Sequence, residues 1–136
     1  MIEYNYDFKP GLVYEHIDLN LENPLLKDKR VRQALLYAIN RDQIVQQLFE
    51  GKQPVAEGDI SPLDPMYSKA ARQYGYDPAM AKKLLDEAGF SKTQGGFRTS
   101  EAGERFSIEI TTTAGNRVRE QVAQVIQSQL RQVGIE

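Results

Sequence analysis

Cysteine is absent from the 136 residues of the chain. Without thiols there is no disulfide framework, no thiolate nucleophile and no thiolate metal ligand. No apolar run approaches the roughly 20 residues that a membrane-spanning helix needs. The start, Met1 to Asp7, lacks the basic and apolar regions of a signal peptide. The chain is therefore either a cytoplasmic protein or a piece that begins inside a longer secreted one.

The groups that most enzymes use are also scarce. His16 is the single histidine, whereas metal sites and acid–base catalysis usually need histidine with positioned partners. Asp86 and Glu87 are adjacent on a predicted helix, so their carboxylates point about 100° apart and do not converge on one bond. Gly95-Gly96 lacks the context of a phosphate loop, and no serine lies in a nucleophile elbow. We predict that the chain is not an enzyme and holds no metal or cofactor.

The composition is typical of one globular domain with its own core. Hydrophobic residues make up 40% and charged residues 26%, and the formal net charge is -2. A broad phosphate-binding surface would need an excess of Lys and Arg. We expect residues 1–136 to form a single domain that binds no nucleic acid.

Two segments alternate apolar and polar residues with the period of a β-strand. The first covers residues 12–21, and the second covers residues 106–111. We predict a half-buried strand at each. The second strand is expected to pair with Phe97–Thr99 as a hairpin.

Four helices are predicted from apolar stripes with caps at their ends. Their expected N-caps are Asp28, Asn40, Asp77 and Asn116, and glycines end three of them at Gly51, Gly89 and Gly134. Residues 52–76 carry three of the six prolines and are expected to be irregular. The result is a mixed α/β (α+β) fold in which helices flank a sheet.

The turn between the second predicted strand and the last helix is the candidate ligand site. Helix N-termini offer free backbone N–H groups and a partial positive potential, and the carboxyl ends of strands are common binding positions. The candidate residues are Thr112, Thr113, Ala114, Gly115, Asn116 and Arg117. The alternative is an ordinary connector in which Asn116 only caps the helix.

A basic run on the first predicted helix supports a different function. Lys27, Lys29, Arg30 and Arg32 precede a second helix, as in a cytoplasmic helix-turn-helix regulator of nucleic acid. However, Arg41 is the single basic residue of the second helix before Gly51, where side chains that read bases would lie. A charged solvent face is the preferred interpretation.

A series of motifs resembles the family 5 solute-binding proteins, the peptide- and nickel-binding components of ABC importers. The core of the resemblance is Asn20-Leu-Glu-Asn-Pro24 followed by Asp28-Lys-Arg-Val-Arg32 and Ala38-Ile-Asn-Arg41. Further matches follow in order at Gly51, Pro54-Val-Ala, Ile60-Ser-Pro62, Tyr74-Gly-Tyr76-Asp-Pro78, and Ala81 to Phe90. Each motif alone is weak, whereas six in order are specific.

The resemblance implies part of the second lobe of a longer, two-lobed protein with a periplasmic-binding-protein-like (type II) fold. Such a protein would be periplasmic or a cell-surface lipoprotein. Its partners would be a peptide or other small solute, the missing first lobe and the permease subunits. Some dipeptide-binding members carry an arginine near the end of the 106–113 strand, where this chain has Thr112-Thr113-Ala114. The ligand class, whether oligopeptide, dipeptide or nickel complex, therefore stays open.

Overall fold

The computed structural model describes residues 7–9, 11–70 and 73–136. The start at Met1 to Tyr6 and residues 71 and 72 of the predicted irregular segment lie outside the described residues. The described part of the chain contains five helices and one two-stranded antiparallel sheet. In chain order these are α1 (Pro24–Lys27), α2 (Lys29–Ala38), α3 (Arg41–Phe49), α4 (Pro78–Glu87), β1 (Lys92–Gln94), β2 (Phe97–Thr99) and α5 (Arg117–Gln132).

The four longer helices begin where the sequence predicts. Each N-cap side chain accepts a hydrogen bond from a backbone N–H of the first turn, which would otherwise lack a partner. Asp28 accepts from Arg30 at 2.8 Å, Asn40 from Gln43 at 2.9 Å and Asp77 from Met80 at 2.9 Å. Asn116 does the same for α5. The cap predictions are confirmed.

The core lies where α2 packs against α4 and where α5 closes over α2 and α3. In α2, α4 and α5 the buried residues are spaced three or four apart, so that one face of each of these helices is buried. The buried residues are Leu26, Val31, Ala34, Leu35, Ala38, Ile44, Ala81, Leu85, Phe106, Ile126, Leu130, Val133 and Ile135. Val118, predicted for the same stripe, remains 45% exposed in the first turn of α5.

The predicted pairing of Phe97–Thr99 with the second segment is found only around the start of that segment, through an antiparallel bridge between Thr99 and Arg105 and a hydrogen bond from Phe106 N–H to the Arg98 carbonyl. The regular partner of β2 is β1, which the sequence did not predict, and the two are joined by a two-residue turn at Gly95 and Gly96 whose φ angles are 61° and 86°. This turn fits the right-handed twist of a tight hairpin and needs positive φ at both positions. Among the described residues, none from Ser107 to Thr111 makes a backbone hydrogen bond to β2.

The strand predicted over residues 12–21 is likewise absent from the structure. The segment has no regular secondary structure, and Leu12, Val13 and Ile17 are 78%, 86% and 49% exposed. A strand needs a neighbouring strand to satisfy its backbone groups, and none lies beside this segment within the described residues. The alternating apolar residues of this segment therefore do not form a continuous buried face.

The described residues of the segment 52–76 are irregular, as predicted. Arg41 forms hydrogen bonds near both ends of this segment. The Arg41 guanidinium donates to the Ala56 carbonyl at 2.8 Å and to the Tyr74 carbonyl at 2.9 Å, and it pairs with Glu57 at 3.2 Å.

Glu50 ends α3 in the left-handed conformation (φ 54°), and Gly51 follows at φ 70°. The left-handed stop thus begins one residue before the predicted Gly51.

α4 and α5 end in the same way, with a glycine in the left-handed region. The N–H groups of Gly89 and Phe90 donate to the last turn of α4, and those of Gly134 and Ile135 donate to the last turn of α5. The φ angles of Gly89 and Gly134 are 98° and 89°.

Arg98 joins these two helix ends. Its buried guanidinium donates to the Val133 carbonyl at 2.7 Å and to the Phe90 carbonyl at 2.6 Å, and it also pairs with Asp86. The Arg98 backbone N–H donates to the Gly134 carbonyl at 2.7 Å. A methyl group on Gly134 would lie 2.8 Å from Cγ of Arg98, which is too close, whereas one on Gly89 would meet nothing within 4 Å.

We therefore expect Gly134→Ala to destabilise the protein more than Gly89→Ala. Both changes carry the cost of a left-handed alanine, about 1–2 kcal/mol, but only Gly134→Ala also displaces Arg98, for a further cost of about 1–3 kcal/mol. Urea unfolding followed by circular dichroism gives both free energies. Equal losses for the two variants would contradict the role given to the Arg98 contact.

Candidate ligand-binding turn

The six predicted site residues, Thr112 to Arg117, form the exposed connection between residues 106–111 and α5. Every one of them is accessible to solvent. The turn sits at the carboxyl end of the extended segment and at the N-terminus of a 16-residue helix, as the sequence predicts. Its position is therefore suited to a ligand.

Side chains of α5 fix the shape of the turn. The Asn116 side chain accepts from Arg119 N–H at 3.1 Å, and the Glu120 carboxylate accepts from Gly115 N–H at 3.0 Å. Two otherwise free backbone donors are satisfied in this way, much as in a capping box. Asn116 thus caps the helix, as the alternative of an ordinary connector also requires.

Arg119 is a prominent charged group at the turn, and the sequence pattern did not indicate it. Its guanidinium donates to the Thr113 hydroxyl at 3.0 Å and to both oxygens of the Glu15 carboxylate, at 3.0 and 2.8 Å. Paired parallel bonds of this kind are the strongest geometry for arginine and carboxylate. The pair ties the N-terminal segment to the turn.

The pKa values follow from this contact. The hydrogen bond from Arg119 holds the pKa of the Glu15 carboxyl below its ordinary value of 4.5, and the charge of Arg119 adds to the effect. The same bond raises the pKa of Arg119. Both side chains are about half exposed, so solvent screens the pair. The pair positions the segment rather than contributing much stability.

A groove of about 720 Å³ lies between the extended segment that precedes the turn, residues 106–111, and one side of α5. Its lining mixes apolar and amide side chains, among them Ser107, Ile108, Ile110, Ala123, Gln127 and Leu130. Glu136 also lines it. The groove is distinct from the turn, but both lie along the same extended segment.

Other groups weighed from the sequence take structural positions. His16 stacks on Tyr14 with ring centroids 4.7 Å apart and stays exposed, as expected for a surface residue. Asp86 is not merely solvated, because its carboxylate pairs with Arg98. Within the described ranges no cluster of His, Asp or Glu has the arrangement of a metal site. In the same ranges no helix has the length and apolar character needed to cross a membrane.

The two arginines of the basic run make contacts within the chain. Arg30 pairs with Asp28 and donates to the Glu87 carbonyl, so it links α2 to the end of α4. Arg32 donates to the carbonyls of Leu26 and Lys27 at 2.8 Å each, which caps α1. These guanidiniums hold helices together, and this favours the preferred interpretation over a surface that reads DNA.

Comparison with known proteins decides the family. Residues 2–136 match the model of the middle region of the bacterial extracellular solute-binding proteins, family 5. The chain belongs to this family. The resemblance seen in the motifs is confirmed, and so is the fold class, a mixed helix and small-sheet part of a periplasmic binding protein lobe. The family name describes solute binding and not catalysis.

Named relatives bind different ligands. The oligopeptide-binding protein AppA of Bacillus subtilis is 42% identical over 128 residues, which are 93% of this chain and 24% of AppA. The oligopeptide-binding protein of Thermus thermophilus, solved with a pentapeptide, is 40% identical with a TM-score of 0.84, over 93% of this chain and 23% of that one. NikZ of Campylobacter jejuni, solved with Ni(L-His), is 34% identical with a TM-score of 0.75, over 85% and 23%.

The chain thus spans about a quarter of the length of the curated relatives that it matches. Most of each relative's sequence lies outside the aligned region. Among the described residues, the extended segments 11–20 and 106–111 belong to neither strand of the small sheet.

The Glu15 carboxyl should titrate below 4.5 in the folded chain, and in Arg119→Gln its pKa should return toward that value. Since folding lowers this pKa, the pair stabilises the fold above the ordinary pKa, and that contribution is lost as the pH falls through the lowered one. NMR titration of the Glu15 side-chain carbon measures both. Arg117→Gln is the matched control and should leave the pKa unchanged.

Proposed function

We propose that this chain forms part of the second lobe of a two-lobed solute-binding protein that captures peptides for an ABC importer. The observation that carries the proposal is the family match over residues 2–136, together with the likeness to a pentapeptide complex at 40% identity. The whole protein would act outside the cytoplasmic membrane, in the periplasm or as a cell-surface lipoprotein. It would deliver its ligand to permease subunits and would perform no catalysis itself.

The turn Thr112–Arg117 is the proposed contact with the ligand. It presents the N-terminus of α5 and the cation of Arg117 on an exposed connection whose backbone is held by Asn116 and Glu120. A fixed backbone avoids the entropic cost of ordering a loop when the ligand binds. A helix N-terminus and an arginine suit a carboxylate, so a peptide with a free carboxyl group is the ligand that fits this chemistry.

The first lobe supplies the rest of the cleft in this proposal. A peptide held between two lobes loses most of its contacts when one wall is missing. We therefore expect the 136-residue chain to bind peptides weakly, if at all, whereas the two-lobed protein binds them tightly. Isothermal titration calorimetry with one peptide and both proteins tests this. Tight binding by the 136-residue chain would contradict a cleft between lobes.

Arg117→Gln in the two-lobed protein should weaken binding of a peptide with a free carboxyl group by about tenfold, since a hydrogen bond to a charged group contributes about 1.5–3 kcal/mol. Amidation of the peptide's carboxyl terminus should abolish the difference between the variant and the original protein. The control is Arg131→Gln, about 21 Å away at the other end of α5, which should bind normally. Equal affinities for all three proteins would remove the turn from the ligand site.

A further inference from the structure

A second cleft, of about 300 Å³, lies between α4, the β1–β2 hairpin and the end of α5. It is called the basic cleft because three of its side chains are cations. The polar residues of the wall that matter here are Lys82, Thr93, Gly96, Arg98 and Arg131. The basic cleft lies at the end of α5, whereas the turn Thr112–Arg117 lies at the start of the same 16-residue helix.

One nitrogen of the Arg98 guanidinium has donors to spare. Nε donates to the Val133 carbonyl, and Nη1 donates to the Phe90 carbonyl and pairs with Asp86. Nη2 donates to no acceptor among the described residues. Arg98 is only 6% exposed, yet in the described part of the chain no fully buried side-chain nitrogen lacks a partner, so solvent reaches Nη2. The basic cleft that Arg98 lines gives this access.

The other two cations are not neutralised by an acidic neighbour. Within the described ranges neither Lys82 nor Arg131 forms an ion pair. Lys83, next to Lys82, pairs with Glu87 at 3.9 Å, and Asp86 pairs with Arg98. The positive charges of Lys82 and Arg131 are therefore uncompensated, although the whole chain has a formal net charge of -2.

The carbonyl groups at the end of α5 do not oppose an anion at this position. The last carbonyls of a helix carry partial negative charge, which would repel one. Here the Leu130 carbonyl accepts from Ile135 N–H at 3.1 Å, the Arg131 carbonyl accepts from Gly134 N–H at 3.0 Å, and the Val133 carbonyl accepts from Arg98. A ligand in the basic cleft therefore meets mainly hydrogen-bond donors.

We propose that the basic cleft binds a phosphate group, either of a free phosphate or phosphate ester or of an anionic lipid head group. A phosphate ester carries about -1.5 to -2 charges at pH 7 and three acceptor oxygens. These match the two uncompensated cations, the free N–H groups of Arg98 and the Thr93 hydroxyl. Arginine and lysine are the side chains that bind phosphate in most proteins. A volume of about 300 Å³ is at the lower end for ligand pockets and suits a small group.

NMR titration of the 136-residue chain with sodium phosphate tests the site, and sodium chloride at equal ionic strength is the salt control. We expect saturable shifts of the Thr93, Gly96 and Arg98 N–H signals with phosphate alone. In the double variant Lys82→Gln/Arg131→Gln the dissociation constant should rise at least about tenfold, because two charge-assisted hydrogen bonds are lost.

The matched control is Lys83→Gln. It removes a charge from the same turn of α4, but Lys83 does not line the basic cleft, so phosphate should bind as in the original chain. Circular dichroism verifies that each variant is folded. Shifts that do not saturate, equal shifts with chloride, or equal phosphate affinities of the double variant and the original chain would overturn the proposal.

Sedimentation with lipid vesicles distinguishes the two sources of phosphate. Binding to vesicles that contain phosphatidylglycerol, lost in the double variant and retained in Lys83→Gln, would assign the basic cleft to a lipid head group. Saturable binding of sodium phosphate without binding to these vesicles would assign it to a free phosphate or phosphate ester. Neither readout involves a peptide, so the result is independent of the proposed function.

Discussion

The buried guanidinium of Arg98 fixes the ends of two helices relative to the small sheet, and the rest of the described fold depends on this arrangement. A charge removed from water must be matched by acceptors, and Arg98 finds them in the Phe90 and Val133 carbonyls and in Asp86. The chain leaves α5 through Gly134, which must lack a side chain beside Arg98. Glu136 is thereby placed against residues 106–108.

The helices could be predicted from the sequence because the features that form them are local. A cap, an apolar stripe and a terminal glycine lie within a few turns, as in Asp77 to Gly89. The two predicted strands do not form regular strands in the structure, and the reason is the opposite one. Alternation over residues 12–21 and 106–111 indicates a half-buried strand, yet a strand also requires a neighbour that its own pattern does not contain. The predicted pairing with Phe97–Thr99 is present only near Arg105 and Phe106, because the tight turn at Gly95-Gly96 gives β2 a regular partner in β1.

The location of the candidate turn could be predicted from the sequence, whereas the charged side chains that contact it could not. The position of the turn follows from a strand-like segment and a capped helix, both local features. The carboxylate that Arg119 binds belongs to Glu15, 104 residues earlier in the chain, and no pattern in the sequence relates the two. The run Asn116 to Glu120 did carry a signal, a capping arrangement in which an acidic side chain returns to the turn. The proposed function came from the family resemblance of the ordered motifs rather than from any candidate binding residue.

Residues 11–20 and 109–111 have no strand partner among the described residues, and we expect them to gain one in the longer protein. Amide hydrogen exchange, measured residue by residue on the 136-residue chain and on the longer protein, tests it most directly. We predict slow exchange in α2, α4 and α5 of both proteins, and protection of residues 11–20 and 109–111 in the longer protein alone, since the Phe106 and Ile108 amides are already hydrogen-bonded within the 136 residues. Equal protection of these segments in both proteins, or rapid exchange in both, would contradict the claim.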